Sequence, residues 1–375
     1  MRRRLAAAAG MCAIAVLTAV TLFARLNAAQ LYAPELPAVT AAATPTPIPT
    51  PSATPTAAPT PTPTPEPEYS GPRNPLTGLP SDSDTSHLRP MAIMLNNRGV
   101  AQPQLGISKA DIIYETLVEG GITRMLAIYQ DISGVGVIGS VRSARHYYLD
   151  IAQGHDAVYI HAGGSPQAYN AIAARGIENI DGVNGGRHQI FYRDQDRRKN
   201  MGYEHSMVTT SELMQQHLPT YGIRLEHGDN YEYAMKFSDS AAIDGGEPAT
   251  DITVTFSGAK STSFSYDESE GAYRVSQYNK AYTDGNDGSQ LTVANILVLE
   301  ADISRISGDS EGRMDIKLSG SGAGCYINGG KATNIKWAKK DAESQFTYAL
   351  EDGEELVMGR GRIYVCIAPG GALSY

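Results

Sequence analysis

The stretch IGSVRSARHYYLDIAQGHDAVYIHAGGSPQAYNAIAAR, residues 138–175, decides how the larger part of this chain folds. It reads as turn, helix, strand, glycine turn, helix. Ser143 is placed to cap a helix over residues 144–153, with Gly154 as its stop. Residues 157–161 (Ala-Val-Tyr-Ile-His) form a strand. Gly163-Gly164-Ser165-Pro166 is a helix start, Ser165 as N-cap and Pro166 as first helical residue, running to Arg175 and ending at Gly176. Two helix openings thus follow two extended segments. If those segments are parallel neighbours, both turns emerge at one edge of a sheet, where α/β folds hold ligands.

Before this stretch, residues 71–89 form a leading loop, and residues 90–95 form a buried strand that ends at Asn96-Asn97. Two apolar runs, 112–118 and 122–130, flank Glu119-Gly120-Gly121, which is a hairpin signal. After it, residues 177–200 are polar with charges of both signs, read as a solvated loop, and a helix over 211–218 follows. Residues 229–250 are a polar connector. From Asp251 the apolar period changes from helical to two, with short strands between glycine-rich turns. The expected fold class is α+β: a mixed α/β domain over 71–228, the connector 229–250, and a smaller mostly-β domain over 251–375.

The first 70 residues stand apart. Arg2, Arg3 and Arg4 precede an uncharged apolar run from Leu5 to Ala24, closed by Arg25. A helix of that length rises about 30 Å, enough to cross a membrane, and the basic flank keeps the rest of the chain outside the cell. Residues 1–33 read as a single-pass membrane anchor, with a cleaved signal peptide as the rival. Cys12 lies mid-run after Met11, a poor setting for lipid attachment. Residues 34–70 are a Pro/Thr tract with almost nothing apolar to bury, expected to be a disordered, semi-rigid spacer about 100 Å long.

The formal net charge of −9 and the lack of a basic stripe argue against nucleic acid as a partner. Cys325 and Cys366, the two cysteines beyond the apolar run, allow either one disulfide or two buried thiols. All eight histidines lie between His87 and His227, so histidine chemistry belongs to the first domain. His146 and Asp150 are four apart on one predicted helix, a weak ligand pair that a surface ion pair explains equally well, and no metal site is expected. Ser165 lies in a GGSP turn rather than a G-x-S-x-G elbow. Glu115 sits in an apolar strand, a costly place for a charge unless paired, and Arg124 or Arg142 is the expected partner.

The runs RPMAIMLNN (89–97), SKADIIYETLVEGGITRMLAIYQ (108–130), IGSVRSAR (138–145), YIHAGGSPQAY (159–169), TVANILVLE (292–300) and INGGKATNIKWAKKD (327–341) resemble the YerB-like family of bacterial lipoproteins. The resemblance spans about 74–370. It implies a two-domain extracytoplasmic protein attached to a bacterial membrane, and no established activity, the family being itself a domain of unknown function. The departure is the N-terminus, which has no lipid-attachment motif where many relatives carry one.

The residues point to a ligand-binding set of Arg142, Arg145, His146, His161, Gly163, Gly164, Ser165 and Glu115. Helix starts carry unpaired N–H groups and partial positive charge, glycines let an anion approach, and arginines offer bidentate donors. The alternative is that both arginines pair with internal acids such as Glu115 or Asp150. The expected function is a surface-tethered module binding an anionic envelope component without a cofactor. The alternatives are an envelope hydrolase or transferase, and a scaffold for another envelope protein.

Overall fold

Apolar runs with both faces covered make the central strands. In chain order they are β1 (Met91–Asn96), β2 (Ile112–Leu117), β3 (Thr123–Tyr129), β4 (Val158–His161) and β5 (Asn179–Asp181). From the later part of the chain come β6 (Asp251–Ser257), β7 (Lys260–Asp267), β8 (Ala272–Gln277), β9 (Asn295–Glu300), β10 (Gly320–Asn328), β11 (Lys331–Lys339) and β12 (Ile363–Ala368). An eleven-stranded mixed sheet runs in the order Glu247–Pro248, β11, β10, β9, β12, β2, β3, β1, β4, β5, with Thr347–Leu350 also paired to β11. The computed structural model describes residues 69–239, 243 and 245–375. The predicted anchor, 1–33, and nearly all of the Pro/Thr spacer lie outside the described residues. Among the described residues no helix is long and apolar enough to cross a membrane.

The two segments do not build separate sheets. Strand β12 pairs in parallel with β9 on one side and with β2 on the other. Every residue of β2, β3 and β12 is buried, as expected of strands covered on both faces. The connector 229–250 therefore separates two stretches of sequence but not two cores. From Asp251 onward the described residues contain no helix. Strands β6, β7 and β8 form a second, six-stranded sheet with the short strands Lys280–Ala281, Thr292–Val293 and Leu373–Ser374. Alternation in β6 reflects one solvent face and one face in the core.

One face of the large sheet, with Ile93, Ile113, Met125 and Tyr364, packs on Phe256, Phe264 and Val275 of the second sheet. The opposite face, with Met94, Tyr114, Leu126 and Val365, is covered by helix α1 (His146–Gly154) through Tyr147, Tyr148 and Ile151. The Tyr147 hydroxyl donates to the Leu117 carbonyl at 2.8 Å and the Tyr148 hydroxyl to the Arg124 carbonyl at 2.6 Å, so the helix is pinned to β2 and β3 by polar tips as well as by rings. Helix α2 (Pro166–Arg175) has Ser165 as N-cap, its hydroxyl accepting from Ala168 N, and Gly176 in the left-handed region at φ +61°. Between β2 and β3, Gly120 and Gly121 both take positive φ, the reason the hairpin needs glycine there. Cys325 and Cys366 are free, buried thiols on strands separated by β9, and burial pushes both thiol pKa values up.

Candidate functional site

The two extended segments are parallel neighbours. Arg142 N donates to Met94 O at 2.8 Å and Ala162 N to Arg142 O at 3.0 Å. Ala144 N then donates to Gly163 O at 2.9 Å and Ser165 N to Ala144 O at 3.2 Å. Because Ala144 is spent in this pairing, α1 begins only at His146. Arg145 holds the N-cap position with no side-chain cap bond, which corrects the expectation that Ser143 caps the helix. Strands β1 and β4 are parallel, so both turns open beyond their carboxyl ends.

A cleft of about 430 Å³ opens there, lined by Arg142, Gly163, Gly164, Tyr169, Asn184, Arg193, Tyr203 and Glu204 among others. Of the sequence-derived set, Arg142, Gly163 and Gly164 line it. His161 is buried beneath, its ring nitrogens 2.8 Å from Gly163 O and 3.0 Å from Asn179 Oδ1. Ser165 is consumed as the cap of α2. His146 turns to Asp315, at 2.8 Å, and Asp150 to Arg175, at 2.7 Å, so the two have different partners. A larger cleft of about 590 Å³ lies at the far ends of both helices, and several of its charges pair with one another. Arg89 meets Glu178 there at 2.8 Å, and Arg224 meets Asp156.

The arginines behave differently. Arg124 and Arg145, both nearly buried, converge on Glu119, Arg124 at 3.0 Å. Burial works to raise the Glu119 pKa, yet the two guanidinium groups hold it down at about 2. Burial, and then the repulsion of Arg145, lowers the Arg124 pKa to about 10. Arg142 instead reaches Glu204, with Nη2 at 3.1 Å from Oε2 and Nη1 donating to the Glu204 carbonyl at 3.0 Å. The glycine turn already carries an internal anion, since Asp181 Oδ1 accepts from Gly163 N at 2.7 Å and from Val183 N at 2.8 Å. Burial opposes ionisation of Asp181, but these N–H groups and the Tyr169 hydroxyl win, and its pKa falls.

Glu115 lies elsewhere, fully buried between the two sheets. Its partner is Lys260 of β7, at 2.8 Å, not Arg124 or Arg142. Asn97 Nδ2 and the Thr123 hydroxyl donate to Oε1 at 2.7 and 2.6 Å, and the hydroxyls of Thr262 and Tyr364 to Oε2 at 2.8 and 2.6 Å. The side chain on β2 alternates away from the α1 face, which is why the arginines beside α1 are out of reach.

Sequence reasoning missed Tyr169, Asn184, Arg193, Tyr203 and Glu204 in the cleft, Asp181 beneath its glycine turn, and Asn97 and Lys260 around Glu115. The 177–200 stretch is not wholly a loop: it contains β5, the strand Phe191–Arg193 and a helix over Gln195–Asn200. Asp194, three residues before Arg197 and capping that helix through Arg197 N, is the signal that could have exposed it.

Residues 76–224 match the description "Protein of unknown function (DUF3048) N-terminal domain", and residues 252–365 match its C-terminal counterpart. The chain is 29% identical over 298 residues to "Putative lipoprotein YerB" of Bacillus subtilis (strain 168), covering 79% of this chain and 86% of that protein. It belongs to the YerB-like family. The crystal structure of YerB from Bacillus subtilis superposes with a TM-score of 0.70 at 28% identity, covering 80% of this chain and 98% of that one. The two matched regions leave out residues 225–251, close to the connector read from composition, although β2 and β12 join them in one sheet.

Proposed function

We propose that the protein is a membrane-attached, extracytoplasmic module that binds an anionic cell-envelope component in the cleft between Arg142 and the Gly163-Gly164 turn. One observation carries this reading. In a chain with net charge −9, Arg142 and Arg193 both line the cleft, and burial, helped by the nearby buried Arg145, lowers the Arg142 pKa. Guanidinium groups at such a rim suit phosphate or carboxylate. The charged–apolar–charged N-terminus, and the description of the Bacillus subtilis relative as a lipoprotein, support attachment to a membrane with the body outside the cell.

The test is calorimetric titration of residues 69–375 with purified wall polymer bearing phosphate or carboxylate groups. Saturable binding that Arg142→Ala weakens at least tenfold, with the fold intact, is the expected result. Equal binding by wild type and variant would overturn the reading. Release of new reducing or amino ends from the polymer would replace it with catalysis.

A further inference from the structure

We propose that Arg98, Arg142 and His205 form a built anion subsite at the rim of the cleft, and that Glu204 is its resident internal anion, displaced when an anionic group of the ligand binds. The inference rests on the reading of the cleft as an anion site. Arg98 Nη1 lies 3.3 Å from Glu204 Oε1, and Arg142 Nη2 lies 3.1 Å from Oε2. His205 Nε2 lies 3.2 Å from Oε1. The histidine is oriented from below. Its Nδ1 sits 2.7 Å from Asn96 Nδ2, and an amide nitrogen only donates, so Nδ1 accepts and Nε2 carries the proton. Burial lowers the His205 pKa, and its Nε2 edge lies beside the carboxylate. Two guanidinium groups thus converge on a single carboxylate, with the imidazole edge beside it. Asn96, buried at the end of β1, is the positioning residue.

This carboxylate is exchangeable in a way that Glu119 is not. Glu204 is 51% exposed and Arg98 46%, so solvent screens the pair and little is lost on opening it. Beside the subsite, Tyr203 is 60% exposed, with the Arg193 guanidinium 3.9 Å from its ring centroid. An aromatic face next to an anion subsite suits a polymer whose anionic groups alternate with sugar or polyol units.

The experiment titrates the full chain in detergent with poly(glycerol phosphate) and, separately, polygalacturonate, which tell phosphate from carboxylate. Glu204→Gln is expected to tighten binding of the preferred polymer about two- to fivefold, because an internal competitor loses its charge. Adding Arg98→Ala should abolish that gain, and melting temperatures should stay within about 2 °C of wild type. Unchanged or weaker binding by Glu204→Gln, with Arg142→Ala still losing affinity, would overturn the subsite and leave the cleft reading in place. Equal binding by Arg142→Ala, or no binding of either polymer by wild type and Glu204→Gln alike, would overturn both.

Discussion

Two polar clusters, each built around one glutamate, have opposite characters. Around Glu115 a carboxylate meets an ammonium, an amide and three hydroxyls, and Glu115 and Lys260 have side-chain exposures of 0% and 1%. Around Glu204 a carboxylate meets two guanidinium groups and an imidazole with half its surface in water. The first joins β2 to β7 and so ties the two sequence segments together; the second can open at little cost. Burial, rather than residue type, separates a lock from a site. Desolvated charges that lose a partner have no water to fall back on, whereas exposed ones do.

The contrast breaks most visibly at Lys260. Lys260→Met leaves Glu115 buried and short of its counter-ion, and should destabilise the fold by about 3–5 kcal/mol in urea unfolding. A loss below about 1 kcal/mol would mean that the cluster is not a lock. Arg145→Ala comes next, at about 2 kcal/mol, since Glu119 keeps Arg124 and some contact with water. A pH-dependent effect belongs to Glu119 itself. Its folded pKa of about 2 lies below the unfolded value near 4.3, so its stabilisation is complete above about pH 4.3 and fades as pH falls towards 2. The stability gap between wild type and Glu119→Gln should therefore narrow from pH 6 to pH 2; a constant gap would show that the charge is irrelevant. Arg142→Ala should be smallest, below about 1 kcal/mol, because its pair with Glu204 is solvent-screened. A large loss there would make the rim a second lock and remove its exchangeable character.

Much of the local structure was legible in the sequence. Ser165, Pro166 and Gly176 set the bounds of α2 because caps act within a few residues. Glu119-Gly120-Gly121 marked the β2–β3 hairpin because only glycine takes positive φ there cheaply. The period change at Asp251 foretold the strands that follow, since alternation records one wet face. The adjacency of the two helix openings was only a condition in the sequence, which the pairing of residues 142–144 with 162–165 meets.

What tertiary structure alone decided is pairing across distance. Nothing near Glu115 in the chain announces Lys260, 145 residues later, and the nearer arginines made the more obvious partners. Nor does the sequence around Glu204 point to Arg98 and Arg142. Strand order is equally silent: β12 inserts beside β2 because its apolar faces match both layers, and this merges two stretches of sequence into one sheet. Short-range rules fix caps, turns and periods because their causes lie within a few bonds. Charge partners and sheet neighbours are fixed by which surfaces lose water together, a property of the folded chain as a whole.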